Sequence, residues 1–339
     1  MLNLLRRAFG PALLAVCLAV ALCACTYAAT SAPYQILTKL RTPIVWQAFG
    51  SWLMMTEDVL DGRTCYYFDA ATRSKVILKK PQGANWTPLG SAIKWLMYMD
   101  RIDGLDKLIA HDVDNQVVHV ARPSSQNQVG CGFVGIDCIY GQYRTTWVTD
   151  HYPVDIYRIR MTNGIYEPIL VSDSEKYDFS HDGNLMVYRA HYGPGDDRIC
   201  GMYFPGGAEF VILNRDGIHP TVCGQLVAWS EPSGSGYNVM ATDITTGEVR
   251  KVAFTKANPP RAEAGRGAIF WEDTRNTSTG LDIYGYDWAT KREFSVTKAS
   301  GDQIRLRVCD DLVTYVSGPT NYETLWGAKI DRLVRRSTQ

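Results

Sequence analysis

Two histidines in this chain are each followed by a tyrosine, and each stands near a carboxylate. His151 follows Asp150, and His191 comes six residues before Asp197. Imidazole nitrogens and carboxylate oxygens together can bind a transition metal, and the same groups can act as general acid and base. We therefore treat these four side chains as candidate ligands of a divalent cation. The alternative is a pair of surface histidines with no catalytic role, because neither has ligand-like spacing within its own segment.

Carboxylates recur in other polar segments of the chain. If several converged, they could bind a hard cation such as Ca²⁺, which takes six to eight oxygens. Asp and Asn also bond their own backbone in tight turns, and Asp273 could pair with Arg275 in this way. No segment matches a linear calcium motif, so both interpretations stay open. The carboxylates concerned are Glu57, Asp58, Asp61, Asp100, Asp103, Asp150, Asp155, Asp196, Asp197, Glu231, Glu272 and Asp273.

Tyrosines lie in or beside the same segments. Exposed aromatic rings suit contact with protein or sugar, although a tyrosine that packs on its own strand would give the same pattern. Tyr322 is a further candidate of this kind. The predicted partner-binding residues are Tyr152, Tyr192, Glu231, Tyr237, Asp273 and Arg275.

Charge and motif content exclude several function classes. The 35 basic residues balance 35 acidic ones, which argues against electrostatic capture of nucleic acid. The sequence contains neither a Gly-x-Ser-x-Gly elbow nor a phosphate-binding loop. It also lacks a Cys-x-x-Cys pair that would support a zinc or redox motif.

The cysteines suggest one disulfide. Cys131 and Cys138 stand seven residues apart across a glycine-rich segment and form the best candidate pair. Cys223 and Cys309 each lie six residues before a repeated aromatic residue, where a third repeat has Gly265. They are therefore expected to be small packed residues at one repeat position rather than partners of each other.

An internal repeat must position the candidate side chains. It puts His151 and His191 in equivalent segments of adjacent units, so the two histidines are expected to lie near one another. A large apolar residue ends a short apolar run seven times, at intervals of 43, 49, 41, 41, 42 and 44 residues. A period of about 40 to 50 residues with several short strands per unit is typical of a β-propeller blade. We expect the repeated residues to pack between blades. They are Met55, Tyr98, Trp147, Tyr188, Trp229, Trp271 and Tyr315.

The clearest unit predicts four strands. Pro260–Gly265 is expected to be the inner strand, followed by Ala268–Glu272, Asp282–Asp287 and Glu293–Thr297. Alternating β-branched and aromatic residues suit sheets that are covered on both faces. The fold predicted from this pattern is an all-β propeller of four-stranded blades.

The third unit is the longest. Its strands are predicted at Thr145–Thr149, Asp155–Arg160 and Glu167–Val171, with Trp147 as the repeated residue. The extra residues around Cys131–Tyr143 are then expected to elaborate the inner region of this blade.

The seventh unit is short and has no clear outer strand. An unpaired edge is unfavourable, and Tyr34–Leu40 precedes the first complete blade with nothing else to pair with. We therefore predict seven blades closed by this N-terminal strand; six blades plus an incomplete cap is the alternative count. The propeller is expected over residues 34–333, after a linker at 26–33 and before a tail at 334–339.

The first 25 residues predict an export signal. Arg6 and Arg7 precede an apolar stretch, Ala12–Leu22, that is shorter than a transmembrane helix requires. The stretch ends in Leu-Cys-Ala-Cys, which resembles the bacterial lipoprotein cleavage box and predicts lipidation of Cys25. Ordinary cleavage nearby, for instance after Ala28, is the alternative.

Two segments carry a family resemblance. Phe270–Asn276 with Leu281–Asp287 resembles the repeat of TolB-like and WD-like β-propellers, and Asp178–Tyr188 resembles the entry into a blade of that family. Tyr188 stands where the family more often has Trp, and His181 where it has Pro. The resemblance covers nearly all of the chain after the signal. It implies an exported bacterial propeller, often a protein-binding scaffold, and does not imply an enzyme.

These observations predict a monomeric binding module in the cell envelope, either periplasmic or anchored to the outer membrane through its N-terminal lipid only. The partner is expected to be an envelope protein or a polysaccharide, with no nucleic acid. The alternative is a carbohydrate-active lyase or hydrolase with a metal or His/carboxylate site at the mouth of the propeller channel.

Overall fold

The computed structural model describes residues 33–337 apart from short gaps. The gaps are residues 50–51, 60–61, 79–85, 93–94, 113–116, 121–125, 135–136, 162–164, 205, 258–260, 277–279, 310 and 320–321. The predicted export signal, Cys25 and most of the predicted linker lie outside the described residues. Within them, no helix is long and apolar enough to cross a membrane.

The described strands form seven four-stranded antiparallel sheets, and in six of them the strands lie in chain order. The first sheet contains β2 (Ile44–Phe49), β3 (Trp52–Val59), β4 (Gly62–Asp69) and β5 (Lys75–Leu78). The second contains β6 (Trp86–Ala92), β7 (Trp95–Ile102), β8 (Leu105–Asp112) and β9 (Val117–Val120). The third contains β10 (Gln128–Val134), β11 (Asp137–Tyr143), β12 (Val154–Arg160) and β13 (Ile165–Leu170).

The remaining sheets follow the same plan. The fourth contains β14 (Glu175–His181), β15 (Leu185–His191), β16 (Asp197–Tyr203) and β17 (Phe210–Leu213). The fifth contains β18 (Ile218–Cys223), β19 (Leu226–Ser233), β20 (Gly236–Asp243) and β21 (Glu248–Thr255). The sixth contains β22 (Ala262–Gly265), β23 (Ala268–Asp273), β24 (Asp282–Asp287) and β25 (Arg292–Ser295). The seventh contains β26 (Gln303–Cys309), β27 (Leu312–Ser317), β28 (Glu323–Lys329) and β1 (Tyr34–Leu40).

The sheets are arranged around one axis. The first strand of each sheet contacts the first strand of the next in cyclic order, from β2 through β6, β10, β14, β18, β22 and β26 back to β2. The hydrophobic clusters lie between neighbouring sheets, such as the one that joins Ile139 and Ile156 to Met186 and Tyr188. The predicted propeller of four-stranded blades is confirmed.

The N-terminal strand closes the ring, as predicted. β1 pairs antiparallel with β28, with Tyr34 opposite Gly327 and Leu40 opposite Glu323. It thereby becomes the outer strand of the seventh sheet. This pairing joins the two ends of the described chain in one sheet and leaves β28 with a partner on both sides.

The third sheet corrects the predicted repeat. Tyr140, not Trp147, occupies the repeated position in the second strand, and it is fully buried. Trp147 is 53% exposed and lies in the connection between β11 and β12. The predicted strand Thr145–Thr149 is therefore wrong, and Cys131–Tyr143 contributes the first two strands rather than an elaboration. The extra length of this unit lies in the connection, residues 144–153.

Six of the seven first strands carry a β-bulge at the level of the repeated residue. In three of them a residue with a side chain adopts a positive φ at the bulge: Asp178 (54°), His219 (52°) and Arg305 (56°). Such a conformation costs about 1–3 kcal/mol outside glycine, and the surrounding structure must stabilise it.

The predicted disulfide is not formed. Cys138 is a free, fully buried thiol, and its Sγ lies 3.1 Å from Sδ of Met97 in the neighbouring sheet. Its side chain therefore packs across the seam between the second and third sheets. Cys223 and Cys309 end β18 and β26 as Gly265 ends β22, which confirms their equivalent repeat positions.

The C-terminal segment forms a helix that the sequence analysis did not predict. Helix α1 (Ile330–Ser337) follows β28 directly, and Leu333 packs against Phe270 and Val313 in a buried cluster. The predicted domain boundary at residue 333 therefore falls inside this helix.

Candidate functional site

One face of the propeller gathers most of the predicted site residues. Each antiparallel sheet has four strands, so the loop joining its second and third strands lies at the same end as the crossing to the next sheet. We call this end the crossing face. In the third sheet that loop is residues 144–153, and the crossing to the fourth sheet is residues 171–174.

A small hairpin within residues 144–153 presents the site residues. The backbone groups of Val148 and His151 hydrogen-bond each other in both directions, at 2.9 and 3.0 Å. Thr149 adopts a positive φ of 53° at the turn, an unusual conformation for a β-branched residue. Nε1 of Trp147 donates to the carbonyl oxygen of Thr149 at 2.9 Å. The turn places Asp150 at its tip.

Asp150 joins the two predicted histidines. Its Oδ1 lies 3.0 Å from Nδ1 of His151, and its Oδ2 lies 3.1 Å from Nε2 of His191. The two imidazole rings meet edge to face with centroids 5.1 Å apart. One ligand atom from each residue lies within 4.8 Å of the others, so the three side chains could hold a metal ion. The prediction that the two histidines lie near one another is confirmed.

The second nitrogen of each imidazole is held by an acceptor outside the cluster. Nε2 of His151 donates to the carbonyl oxygen of Asp173 at 2.7 Å, and this acceptor requires a proton on Nε2. Nδ1 of His191 faces Oδ1 of Asp197 at 3.2 Å. Metal-binding histidines usually donate their other ring N–H to a carbonyl or a carboxylate in this way. The nitrogens left to bind a cation are Nδ1 of His151 and Nε2 of His191, which both face Asp150.

The charges in the cluster are strongly coupled. Hydrogen bonding from His151 and then from His191 lowers the pKa of Asp150. Burial acts to lower the pKa of His191, but the hydrogen bonds to Asp150 and Asp197 outweigh it and raise that pKa above 6.5. Without a cation, both shifts favour a charged carboxylate on Asp150 and a protonated ring on His191. A divalent ion would replace the acidic protons with a positive charge at the same place.

The site is packed against the protein on one side and open to solvent on the other. His151 is 2% exposed, whereas the side chains of Asp150 and His191 are 36% and 19% exposed. Ala190, next to His191 in β15, belongs to the buried cluster between the third and fourth sheets. A ligand could therefore reach the open side of a bound cation while the other side stays packed.

Arg144 and Lys176 hold the crossing in place beneath His151. Arg144 forms a two-pronged ion pair with Asp155, at 2.7 and 2.9 Å, and a further one with Asp173 at 2.8 Å. Nζ of the buried Lys176 donates to the carbonyl oxygens of Val154 and Ser174. Burial lowers the pKa of Lys176 to about 8. These contacts fix the carbonyl oxygen of Asp173 that orients His151.

Asp197 orients His191 rather than facing Asp150. Its Oδ1 accepts a hydrogen bond from the hydroxyl of Tyr177 at 3.0 Å and lies 3.9 Å from the guanidinium of Arg189. Of the four predicted metal ligands, three come together directly and Asp197 lies one contact behind them.

Two of the predicted partner-binding residues, Asp273 and Arg275, belong to the sixth sheet and do not contact this cluster. Asp273 is 1% exposed; its carboxylate accepts hydrogen bonds from Nε1 of Trp271 at 3.0 Å and Nε of Arg275 at 2.8 Å. Arg275 also binds Glu293. The expectation that Asp273 is available to a partner is therefore wrong. The pairing of Asp273 with Arg275, considered above as turn chemistry, is confirmed.

The predicted surface residues of the fourth and fifth sheets, Tyr192, Glu231 and Tyr237, are all partly buried. The hydroxyl of Tyr192 donates to Glu209, which also accepts from Tyr188 at 2.5 Å. Glu231 binds Arg215 and Nε1 of Trp229, and Tyr237 is half-buried. Their hydrogen bonds support their own or neighbouring strands.

Tyr152 is the most exposed of the predicted partner-binding tyrosines in the third to fifth sheets, at 44%. Its ring meets the edge of Trp147, with centroids 4.7 Å apart. Both rings stand on the hairpin that carries Asp150 and His151. Tyr322 is also exposed, at 68%, but lies in the seventh sheet's connection between β27 and β28.

Sequence reasoning missed the residues that support the cluster. Asp173 contributes a backbone carbonyl, which no side-chain pattern reveals. Arg144 and Lys176 act across a sheet boundary, and Trp147 was assigned to the core. The clue for Trp147 was the alternating run over Asp137–Tyr143, which fits a second strand and leaves residues 144–153 as a loop.

Comparison with solved structures shows the fold. An oligogalacturonate lyase in complex with manganese matches with a TM-score of 0.59 at 15% identity, over 88% of this chain and 96% of that one. An oligogalacturonate lyase from Vibrio parahaemolyticus matches with a TM-score of 0.60 at 13% identity, over 87% and 92%. The β-propeller domain of the trilobed protease from Pyrococcus furiosus gives 0.57 at 12% identity, over 77% and 84%.

A putative TolB from Agrobacterium tumefaciens is also among the matches, with a TM-score of 0.46 at 14% identity over 66% of this chain and 83% of that one. No protein-family model matches the chain, and no curated protein does. At these identities the likeness shows a β-propeller and nothing of its chemistry. The β-propeller fold that the resemblance to TolB-like propellers implied is confirmed.

Proposed function

We propose that this protein is an exported, seven-bladed propeller that binds a divalent transition-metal ion through Asp150, His151 and His191. The bound ion in turn binds carboxylate-bearing saccharides at the crossing face. Export to the cell envelope rests on the basic and apolar features of residues 1–25, with Cys25 as the proposed lipid attachment point.

One observation carries the metal assignment. Both imidazoles have one nitrogen committed to an acceptor outside the cluster, Asp173 or Asp197, so that the other nitrogen faces Asp150. A surface histidine without a ligand could leave its second ring nitrogen to water. Here a protein acceptor holds that nitrogen in both rings. Imidazole and carboxylate together suit Mn²⁺, Fe²⁺, Ni²⁺ or Zn²⁺ better than Ca²⁺, which prefers an all-oxygen shell.

The charge of the centre favours an anionic ligand. A divalent ion with one carboxylate and two neutral imidazoles keeps a net charge of +1, and three protein ligands leave coordination positions open. Asp155 and Asp173 are both paired with Arg144. A sugar carboxylate could therefore bind the ion directly. The manganese complex of an oligogalacturonate lyase gives a precedent on the same fold.

The adjoining aromatic pair supports a saccharide as the ligand. Trp147 and Tyr152 are exposed next to the metal-binding residues on one hairpin. Aromatic rings with one polar edge suit the mixed apolar and hydroxylated surface of a sugar. A polymer that bound the metal through one residue could place a neighbouring sugar on this pair.

The test is metal-dependent binding by the full-length protein. After chelation and dialysis, the protein would be titrated with Mn²⁺ or Zn²⁺, and each form would then be titrated with tri-galacturonate or a neutral galactose trimer. We expect one metal per chain and a tri-galacturonate site that appears on metal loading and is lost in the Asp150→Ala variant. Equal binding of the two trimers by the metal-loaded form, or a tri-galacturonate affinity that metal loading does not change, would contradict the proposal.

A lyase activity is the second candidate. The open coordination positions that would bind a carboxylate would also let the metal polarise it as a Lewis acid and make the adjacent C–H more acidic. The readout is absorbance of the unsaturated product at a fixed concentration of metal-loaded protein. Turnover that disappears in a His151→Ala, His191→Ala double variant would support catalysis. Binding without turnover over acidic oligosaccharides would leave the protein a binding module.

A further inference from the structure

A second polar cavity lies on the inner wall of the ring, away from the metal cluster. It has a volume of about 360 Å³, at the lower end of the range for small-molecule sites. Its walls come from the sixth, seventh and first sheets. Arg261, Arg305 and Arg307 line it together with Glu272, and Ile44 and Ile304 add an apolar surface.

Buried carboxylates hold the arginines from behind. Glu263 is 5% exposed and pairs with both Arg261 and Arg307, the latter at 3.4 Å. Glu323 is 2% exposed and pairs with Arg305 at 2.8 Å. The three guanidinium groups are thus positioned before any ligand arrives. Two of them, Arg261 and Arg307, share the carboxylate of Glu263, so the wall is rich in positive charge.

The remaining carboxylate in the cavity is poorly suited to balance that charge. Burial raises the pKa of Glu272, while hydrogen bonds from the backbone N–H groups of Leu306 and Arg305 and the charges of Arg307 and Arg261 oppose the rise. Oε1 of Glu272 accepts from the N–H of Leu306 at 3.1 Å. The cavity therefore sets three guanidinium groups around one carboxylate whose charge burial disfavours.

Arg305 is also held in a strained backbone conformation. Its φ of 56° lies in the left-handed region, at the bulge of β26. Among residues other than glycine, such conformations persist where the surrounding structure over-determines them and are concentrated at ligand sites. Arg305 and Arg307 both line the cavity from this bulged strand.

We propose that this cavity binds a small organic carboxylate. Two guanidinium groups that share one carboxylate can together take a second, because Arg binds carboxylates through paired N–H donors. The apolar wall would contact the carbon skeleton. This site is independent of the metal cluster, and the inference goes beyond the proposed function.

The test uses chelated full-length protein, so that the metal cluster cannot contribute. Calorimetry would measure binding of galacturonate, galactose and inorganic phosphate. We expect galacturonate to bind, galactose not to bind, and phosphate to bind at least about tenfold more weakly than galacturonate, the difference that one charge-assisted hydrogen bond or its equivalent contact supplies. Phosphate binding as tight as that of galacturonate, or no binding of either, would overturn the assignment.

Two variants separate the site from a folding defect. Arg305→Gln should weaken galacturonate binding by about tenfold or more. Glu272→Gln keeps the carbonyl acceptor for Leu306 but removes the competing carboxylate, so it should bind galacturonate more tightly than the parent protein. Arg250→Gln, at an ion pair with Glu248 in the fifth sheet, is the matched control and should bind as the parent does. If Glu272→Gln bound more weakly while remaining folded, the proposal would be wrong.

Discussion

Asp150 and Asp273 both lie at the crossing face, where the second strand of a sheet leads into the third, yet they differ in what binds their carboxylates. Asp273 ends β23 and is enclosed by the indole N–H of Trp271 and the guanidinium of Arg275. Asp150 stands at the tip of a hairpin, and its carboxylate contacts two imidazole nitrogens whose rings are oriented by other acceptors. The two residues looked alike in sequence.

The difference lies in where the donors come from. Asp273 is satisfied within its own sheet by residues two positions away on either side. Asp150 is satisfied by His191 from the neighbouring sheet and by His151, whose ring is held by the crossing between the sheets. A loop carboxylate becomes a candidate ligand when its partners belong to separate elements and are themselves potential ligands. It remains structural when local donors fill its lone pairs.

The largest expected effect is loss of metal affinity on removing a ligand from the cluster. Asp150→Ala and His191→Ala should each weaken Mn²⁺ or Zn²⁺ binding by more than about 100-fold. Loss of a residue that only orients a metal ligand typically lowers metal affinity by about 10–100-fold, and loss of the ligand itself should cost more. Calorimetric titration of the chelated protein would measure this. Asp273→Ala is the matched control and should leave metal affinity unchanged.

Loss of a supporting contact should have a smaller effect. Arg144→Ala releases Asp173, whose carbonyl oxygen orients His151. We expect metal affinity to fall by about 10–100-fold, the usual range for residues that orient ligands. The same titration, together with circular dichroism to verify folding, would test this. An unchanged affinity in the folded variant would show that the crossing does not position His151.

Metal affinity should also depend on pH. The pKa of His191 is raised above 6.5, so below that raised pKa a metal must displace a proton from the imidazolium. Affinity should rise by roughly tenfold per pH unit for each displaced proton and then level off above it. Titrations between pH 5 and pH 9 would measure the slope. A flat profile would mean that His191 is not a ligand.

The same shift gives a prediction for the metal-free protein. Because the folded-state pKa of His191 is raised, protonation stabilises the fold fully below the unfolded-state pKa, and this contribution is lost as pH rises through the folded-state value. The stability of chelated protein should therefore fall more steeply with rising pH than that of the His191→Gln variant. Urea denaturation at several pH values would compare them.

Substitution of Asp273 is expected to change the stability of the fold without changing metal affinity. Asp273→Asn removes the charge that binds Arg275 and weakens the acceptor for Trp271 in a site that is 1% exposed. We expect a loss of about 1–3 kcal/mol in the free energy of unfolding, the usual range for a disrupted buried hydrogen bond to a charged group. Urea denaturation would measure it, and metal affinity should stay at the parent value.

The period of the repeat was enough to predict the propeller, its four-stranded units and the pairing of β1 with β28. These depend on alternation and on the need to pair an edge, which are properties of the sequence itself. The period failed in the third unit, where Trp147 fits the expected spacing about as well as Tyr140 does. An insertion in a loop shifts the spacing without changing the strands, so counting alone could not locate it.

Only part of the candidate site could be predicted from the sequence, because the rest depends on how neighbouring sheets pack. The residue types of Asp150, His151 and His191 were visible, and the repeat placed His191 near the third sheet. The carbonyl oxygen of Asp173, the ion pairs of Arg144 and the buried Lys176 depend on packing between sheets. The enclosure of Asp273 by Trp271 and Arg275 also needed the fold, because the same residues would suit an exposed rim.

The most direct test of the account is anomalous diffraction from crystals of the chelated protein soaked in Mn²⁺. The account predicts one strong anomalous peak between Asp150, His151 and His191, about 2.0–2.3 Å from Nδ1 of His151, Nε2 of His191 and one oxygen of Asp150. The peak should be absent in the Asp150→Ala variant. A crystal with no peak there, or with manganese bound only elsewhere, would contradict the central claim.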